Sequence, residues 1–214
     1  REEKRKTREG FVMRVLVITS KSDVVVRSVV ERLTEDGHEV SQSKGKLTKG
    51  AEAVVLDLRG EGLSSAREIV KRVAEDSERD DGTSKVLIAL STLMSWGKTS
   101  KENLDESKWS ERIPPNTRKE IHRAENSILN ANSESLRSVV IGFGLVYGSG
   151  EGILEPYFKT MWTQGESATL TIPSWNGRAE NVIPSIHAKD LASLVSASVS
   201  KTRSDFKFGT SSSG

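Results

Sequence analysis

Few side chains in this 214-residue chain are suited to chemistry, and their spacing limits what that chemistry would be. The three histidines, His38, His122 and His187, are scattered, and neither they nor the carboxylates recur at a spacing that would hold a metal. His122 lies in a stretch of helical pattern and is the one residue there whose ordinary pKa suits proton transfer near neutrality, which makes it the candidate acid or base. The absence of cysteine excludes a disulfide framework, a thiolate metal site and thiol nucleophiles. The only tyrosines, Tyr147 and Tyr157, lie late in the chain. Lys44 and Lys46, in Ser41-Gln-Ser-Lys-Gly-Lys46, read first as two solvated loop lysines, with contact to a phosphate as the alternative. Ser20, Ser22 and Asp23 stand where an apolar run turns into a helix, the place at which this kind of unit receives phosphates.

The elements that must position these residues are legible as an alternation. Met13 to Ser20 is a short apolar, β-branched run and predicts a strand buried on both faces. From Asp23 to Asp36 apolar residues recur at helical spacing behind a good N-cap, and Gly37 closes the helix. Gly-His-Glu-Val40 opens the next strand. The pattern repeats with a strand at Ala53 to Leu58, a helix at Ser65 to Ala74, and a strand at Lys85 to Ser91. The polar stretch between Met94 and Asn116, with Trp96, Trp109 and Pro114-Pro115, is too long for a plain connection and reads as a functional flap or an interaction loop. A helix from Thr117 to Ala131, a strand from Ser138 to Tyr147, a helix from Ile153 to Gln164, a short strand from Ala168 to Ile172 and a helix from Lys189 to Val199 complete the pattern.

Strands alternating with helices in this way imply right-handed crossovers and an α/β, doubly wound parallel sheet of Rossmann type. Residues 1–12 read as a charged arm, 13–200 as one domain and 201–214 as a flexible tail or linker. Position 1 is not methionine, which suggests a piece of a longer chain. The run Glu75 to Asp81 reads as a solvated helix end. A net charge of +2 gives no phosphate-binding field, so a general nucleic-acid binder is disfavoured. No uncharged apolar run approaches the roughly 18 residues that a spanning helix needs.

A dinucleotide site on this fold needs glycines after the first strand, because side chains there keep the backbone off the pyrophosphate. The turn here is Thr19-Ser-Lys-Ser-Asp-Val24, with no glycine. Asp23 reads as a helix cap that competes with a phosphate for the same N–H groups. The end of the second strand carries Lys44 and Lys46 where an acidic residue would greet an adenine ribose, so NADP is the surviving form of the cofactor idea. On this basis residues Thr19 to Asp23 are expected to fill the place of the pyrophosphate.

Four stretches carry a likeness: Ser138 to Leu154 (SVVIGFGLVYGSGEGIL), Gly165 to Ile172, Asn181 to Ala192 (NVIPSIHAKDLA) and Leu87 to Trp96 (LIALSTLMSW). They resemble the epimerase and dehydratase branch of the extended short-chain dehydrogenases. They are more closely similar to the Rossmann-like domain that precedes the kinase domain in ciliary and flagellar adenylate kinases. The resemblance implies a small substrate lobe at the carboxyl end, a cytoplasmic protein of the cilium or flagellum, and axonemal or cytoskeletal protein partners. It also implies a Tyr and a Lys four residues apart on the helix after the fourth strand, yet Thr117 to Asn126 contains no tyrosine, and Tyr147 belongs to the strand motif. Ser91 and Thr92 keep the hydroxyls that the family places at the preceding strand end, as a remnant or as a structural cap. No Gly-rich run ending in Gly-Lys-Ser/Thr is present, so phosphoryl transfer is not assigned to these residues.

The resemblance and its departures together imply a catalytically degenerate scaffold or docking domain. It would have no catalytic or metal residues, and Ser20, Ser22, Lys44, Ser91 and Tyr147 would be vestiges of a cofactor site. One alternative is an NAD(P)-dependent oxidoreductase or epimerase with an altered site, using Lys44 or Lys46 for the cofactor and Ser91 and His122 for chemistry. The other is a nucleotide-sensing domain that regulates an attached adenylate kinase. Trp96, Trp109, Trp162 and Trp175 are partner anchors or core residues on this reading.

Overall fold

A computed structural model of the chain describes residues 12–44, 46, 50–60, 63–79, 84–99, 105–150, 152, 154–170 and 183–208. Strand β1 (Arg14–Ile18) alternates its side chains between two covered faces, since Val15 and Val17 enter one apolar cluster and Leu16 and Ile18 the other. Helix α1 (Val24–Glu35) follows, capped by Asp23, whose side chain accepts from the N–H groups of Val25 and Val26. Strand β2 (Glu39–Ser43) pairs parallel to β1. Then come β3 (Ala53–Asp57), α2 (Leu63–Arg79) and β4 (Lys85–Thr92). Among the described residues three 3-10 turns, Leu93–Trp96, Glu106–Glu111 and Asn116–Arg118, precede α3 (Lys119–Leu129) and β5 (Leu136–Phe143), and we term the described residues between β4 and α3 the strap.

The five strands form one parallel sheet in the order β2-β1-β3-β4-β5. The chain starts on β1, goes outward to β2, then crosses to β3, so the direction of winding reverses between β1 and β3. Ligands of open α/β sheets bind outside the carboxyl ends of the strands at such a reversal. One face of the sheet carries α1 and the last helix over Val25, Val29, Leu33, Leu191 and Val195. The other carries α2 and α3 over Ile69, Val73, Ile121 and Ile128. Each such side chain, fully buried, contributes about 1.5–3 kcal/mol relative to exposure.

Three expectations are corrected. The run from Ser138 to Tyr147 is two strands in two sheets: β5 ends at Phe143, and β6 (Leu145–Tyr147) pairs instead with β7 (Ser185–His187). Gly144 makes the break, because a Cβ there would strike the Pro184 carbonyl. Ala168 to Leu170, assigned to a strand, follow the 3-10 turn that ends α4 (Glu155–Gln164) and are not in one, while 171–172 lie outside the described residues. Helix α5 (Ala188–Phe208) runs past Val199, so residues 201–208, assigned to the flexible tail, are helical. The charged arm at 1–11 and residues 209–214 lie outside the described residues.

Candidate functional site

The carboxyl ends of β1 and β3 are tied together by charge. Asp57 closes β3 with its side chain at 0% exposure, and the turn that follows brings Arg59 back over it. The guanidinium meets Asp57 in a fork, Nε to Oδ1 at 2.9 Å and Nη2 to Oδ2 at 2.9 Å. Its Nη1 reaches Asp23 Oδ2 at 3.1 Å across the reversal point. Asp23 Oδ1 accepts from Val25 and Val26 N–H at 3.1 Å each. Thr19 Oγ1 donates to Asp57 Oδ2, the oxygen that also accepts from Arg59 Nη2, at 3.0 Å and accepts from Lys21 N–H at 2.9 Å. Burial pushes the Asp23 carboxyl up, but Arg59, the Val26 N–H and Lys21 outweigh it and hold it below its ordinary value.

This latch stands where a dinucleotide pyrophosphate would need open backbone. The first N–H groups of α1 are spent on Asp23, and a carboxylate rather than a vacancy faces any incoming anion. Ser20 packs against the turn after β3 so closely that Gly60 has no room for a Cβ. The residues present do not fit a pyrophosphate. Ser20 and Ser22 are exposed at the edge of this turn.

Beside the latch lies a cleft of about 340 Å³ whose lining includes Lys21, Asp23, Arg59, Arg118, Ile121 and Phe143. Arg59 sits over the Phe143 ring, 5.3 Å from its centre. The tyrosine that the family resemblance implies on α3 is absent, and this helix and the turn before it present Ile121 and Arg118 to the cleft. Neither residue transfers a proton near neutral pH. Among the described residues no group of His, Asp or Glu could hold a metal ion.

Ser91 is not a cap. It is fully buried, and its hydroxyl donates to Glu125 Oε1, itself 1% exposed on α3. Arg112 of the strap donates through Nη1 to Glu125 Oε2 at 2.7 Å, through Nη2 to Asn126 Oδ1 at 3.2 Å, and through Nε to the Trp109 carbonyl at 2.7 Å. The Arg112 guanidinium also lies over Trp96 and Trp109, at 5.7 and 5.9 Å from the ring centres. His122 belongs to this network and not to the cleft lining: its Nε2 meets Asn126 Nδ2 at 3.2 Å. Thr92, by contrast, does cap, accepting from Met94 N–H at 3.2 Å.

The remaining sequence candidates are dispersed. Lys44 and Lys46 are exposed beyond β2 and line no part of the cleft. Tyr147 is exposed in the small sheet, edge-on to His187 at 5.3 Å between ring centres. His187 caps α5 by accepting from Lys189 N–H at 3.2 Å. Trp162 is 91% exposed on α4, a helix with no buried residue. Trp175 lies outside the described residues. Arg59, Asp57, Arg112 and Glu125 escaped sequence reasoning, because an isolated charge in a turn or helix carries no local sign of a distant partner.

The fold is shared with solved structures of the epimerase and short-chain dehydrogenase group. The crystal structure of human epimerase family protein SDR39U1 (isoform 2) with NADPH has a TM-score of 0.63 and 20% identity, covering 89% of this chain and 71% of that one. UDP-N-acetylglucosamine 4-epimerase from Bacillus cereus has a TM-score of 0.58 and 15% identity, covering 87% and 73%. No family model matches the chain. At the level of sequence the chain is similar to adenylate kinase 7 of Mus musculus, 32% identical over 120 residues. The match covers 52% of this chain and 19% of that protein, so the chain spans about a fifth of the relative's length. Both parts of the resemblance drawn from the sequence, to the epimerase branch and to an adenylate kinase, are thereby supported.

Proposed function

We propose that this domain is a non-catalytic scaffold or docking module of a longer, adenylate kinase-like protein of the ciliary or flagellar axoneme. The observation that carries the reading is the Arg59 bridge from Asp57 to Asp23, an internal ion pair at the glycine-free turn where a pyrophosphate would need open backbone. No tyrosine stands on α3 or in the turn before it, from which Ile121 and Arg118 line the cleft, and this supports the loss of chemistry. Exposed Trp162, Phe158 and Met161 on α4 are the kind of aromatic and sulfur side chains that anchor protein partners. The setting comes from the likeness to adenylate kinase 7.

Co-sedimentation of the domain with demembranated axonemes tests the reading. Saturable binding without any dinucleotide-dependent turnover is the expected result. Turnover of NAD(P)H with a sugar nucleotide, or no binding to axonemes, would contradict it. A second reading, nucleotide sensing, is favoured only by the cleft itself, which the cations Lys21 and Arg118 help to line.

A further inference from the structure

The polar network around Arg112 holds His122 through a hydrogen bond to Asn126. Arg112 donates to Asn126 Oδ1, which fixes the amide so that Nδ2 is the group facing His122. An amide N–H can only donate, so His122 Nε2 accepts, and the neutral ring must carry its proton on Nδ1. Nδ1 is buried without a hydrogen-bond partner and faces Glu125 Oε2 at 3.9 Å. Glu125 Oε2 in turn accepts from Arg112. Hydrogen bonds therefore run from Arg112 to Asn126 and to Glu125, from Asn126 to His122 and from Ser91 of β4 to Glu125, while His122 Nδ1 faces Glu125 Oε2 without a hydrogen bond.

We propose that His122 is a pH-sensitive fastener of the strap: only its neutral, Nδ1-protonated form accepts from Asn126 while Asn126 accepts from Arg112, and protonation loosens Arg112 and the strap with it. A proton on Nε2 sets donor against donor at Asn126. Rotating the amide relieves that clash but turns its NH2 onto Arg112 Nη2. The imidazolium also competes with Arg112 for Glu125 Oε2 and repels the guanidinium at close range. The charged groups that face His122 are Arg112 from the strap and Glu125 from its own helix; Ser91, from β4, is uncharged. Burial, joined by Arg112, holds the ring below its ordinary pKa, and Glu125 opposes them. The fastener needs no ligand and stands independently of the docking reading.

Two hydrogen bonds report on the strap: Lys98 N–H to the Ile113 carbonyl at 2.9 Å, and Ile113 N–H to Thr99 Oγ1 at 2.9 Å. Hydrogen exchange of these amides, expressed as protection factors, is measured across the His122 titration with Leu58 N–H, bonded to the Leu90 carbonyl, as the reference. Protection at Lys98 and Ile113 is expected to fall about tenfold, the factor set by losing one charged hydrogen bond, while Leu58 stays constant. In His122→Gln, whose amide oxygen accepts without titrating, the fall disappears. Imidazole nitrogen shifts provide the second readout and should show the Nδ1-protonated tautomer at neutral pH. An Nε2-protonated tautomer, an equal fall in His122→Gln, or unchanged protection as His122 titrates would each overturn the proposal.

Discussion

Arg59 and Asp23 meet at 3.1 Å across the point where the winding of the sheet reverses, although 36 residues separate them in the chain. The contact joins the turn after β3 to the head of α1, and it does so with the same two groups that would otherwise bind and repel a phosphate. Asp23 completes the backbone hydrogen bonding of α1, Arg59 neutralises Asp23, and buried Asp57 holds Arg59 in a fork. The site is thereby satisfied from within.

Removing Arg59 should be costly. Arg59→Ala leaves the Asp57 carboxylate buried without its cation, and an uncompensated buried charge costs about 3–5 kcal/mol. Denaturant unfolding should show that loss. Arg59→Ala combined with Asp57→Asn should recover part of it, since the orphaned charge is gone.

Asp23→Ala removes the α1 cap and should cost about 0.5–2 kcal/mol, whereas Asp23→Ser keeps an acceptor for Val25 and Val26 N–H and should cost less. The difference between the two variants isolates the cap from the Arg59 ion pair, which both lose.

Gly148 of the Val-Tyr-Gly motif is required by the backbone and by a close neighbour. Its φ is +82°, and a Cβ would drive into the His187 ring. Gly148→Ala should cost at least the roughly 1–3 kcal/mol of a strained left-handed residue, and should disturb the cap of α5. Gly152→Ala, where nothing lies within 4 Å of a Cβ, is the matched control and should change unfolding little.

Stability should fall on mild acidification. Burial depresses the pKa of both His38, which Asp36 opposes, and His122, so the unfolded chain binds more protons than the folded one. The folded state is therefore fully favoured above the ordinary histidine value of about 6.5 and loses stability as the pH drops below it. Asp23 and Asp36 are held below their ordinary values, and their contribution is lost only in a separate window below about pH 4. Urea midpoints measured across the first window should decline in the native sequence and flatten when His38 and His122 are both replaced by Gln.

The scaffold was legible because its signals are local. The alternation of β1 and the Asp23 cap lie within single stretches of the sequence, and the structure places both as expected. What escaped depends on distance. Glu125 carries no local sign of its burial, because its partners Arg112 and Ser91 lie 13 and 34 residues away in the chain. The apolar run from Ser138 to Tyr147 has no internal sign of a break, since the break is set by the Pro184 backbone approaching Gly144. The missing phosphate glycines were visible, but that Arg59 supplies a positive charge in their stead was not.

The most direct test is a thermal-shift titration of the domain with NAD, NADP, their reduced forms, ATP and AMP. A ligand that binds only the folded state must stabilise it, by about 2.7 kcal/mol at a hundred times its dissociation constant. A latch at the glycine-free turn predicts no shift with any dinucleotide at millimolar concentration. A saturable rise in the midpoint with NADP or NADPH would show that the pyrophosphate finds room beside Arg59 and Asp23, and would contradict the account.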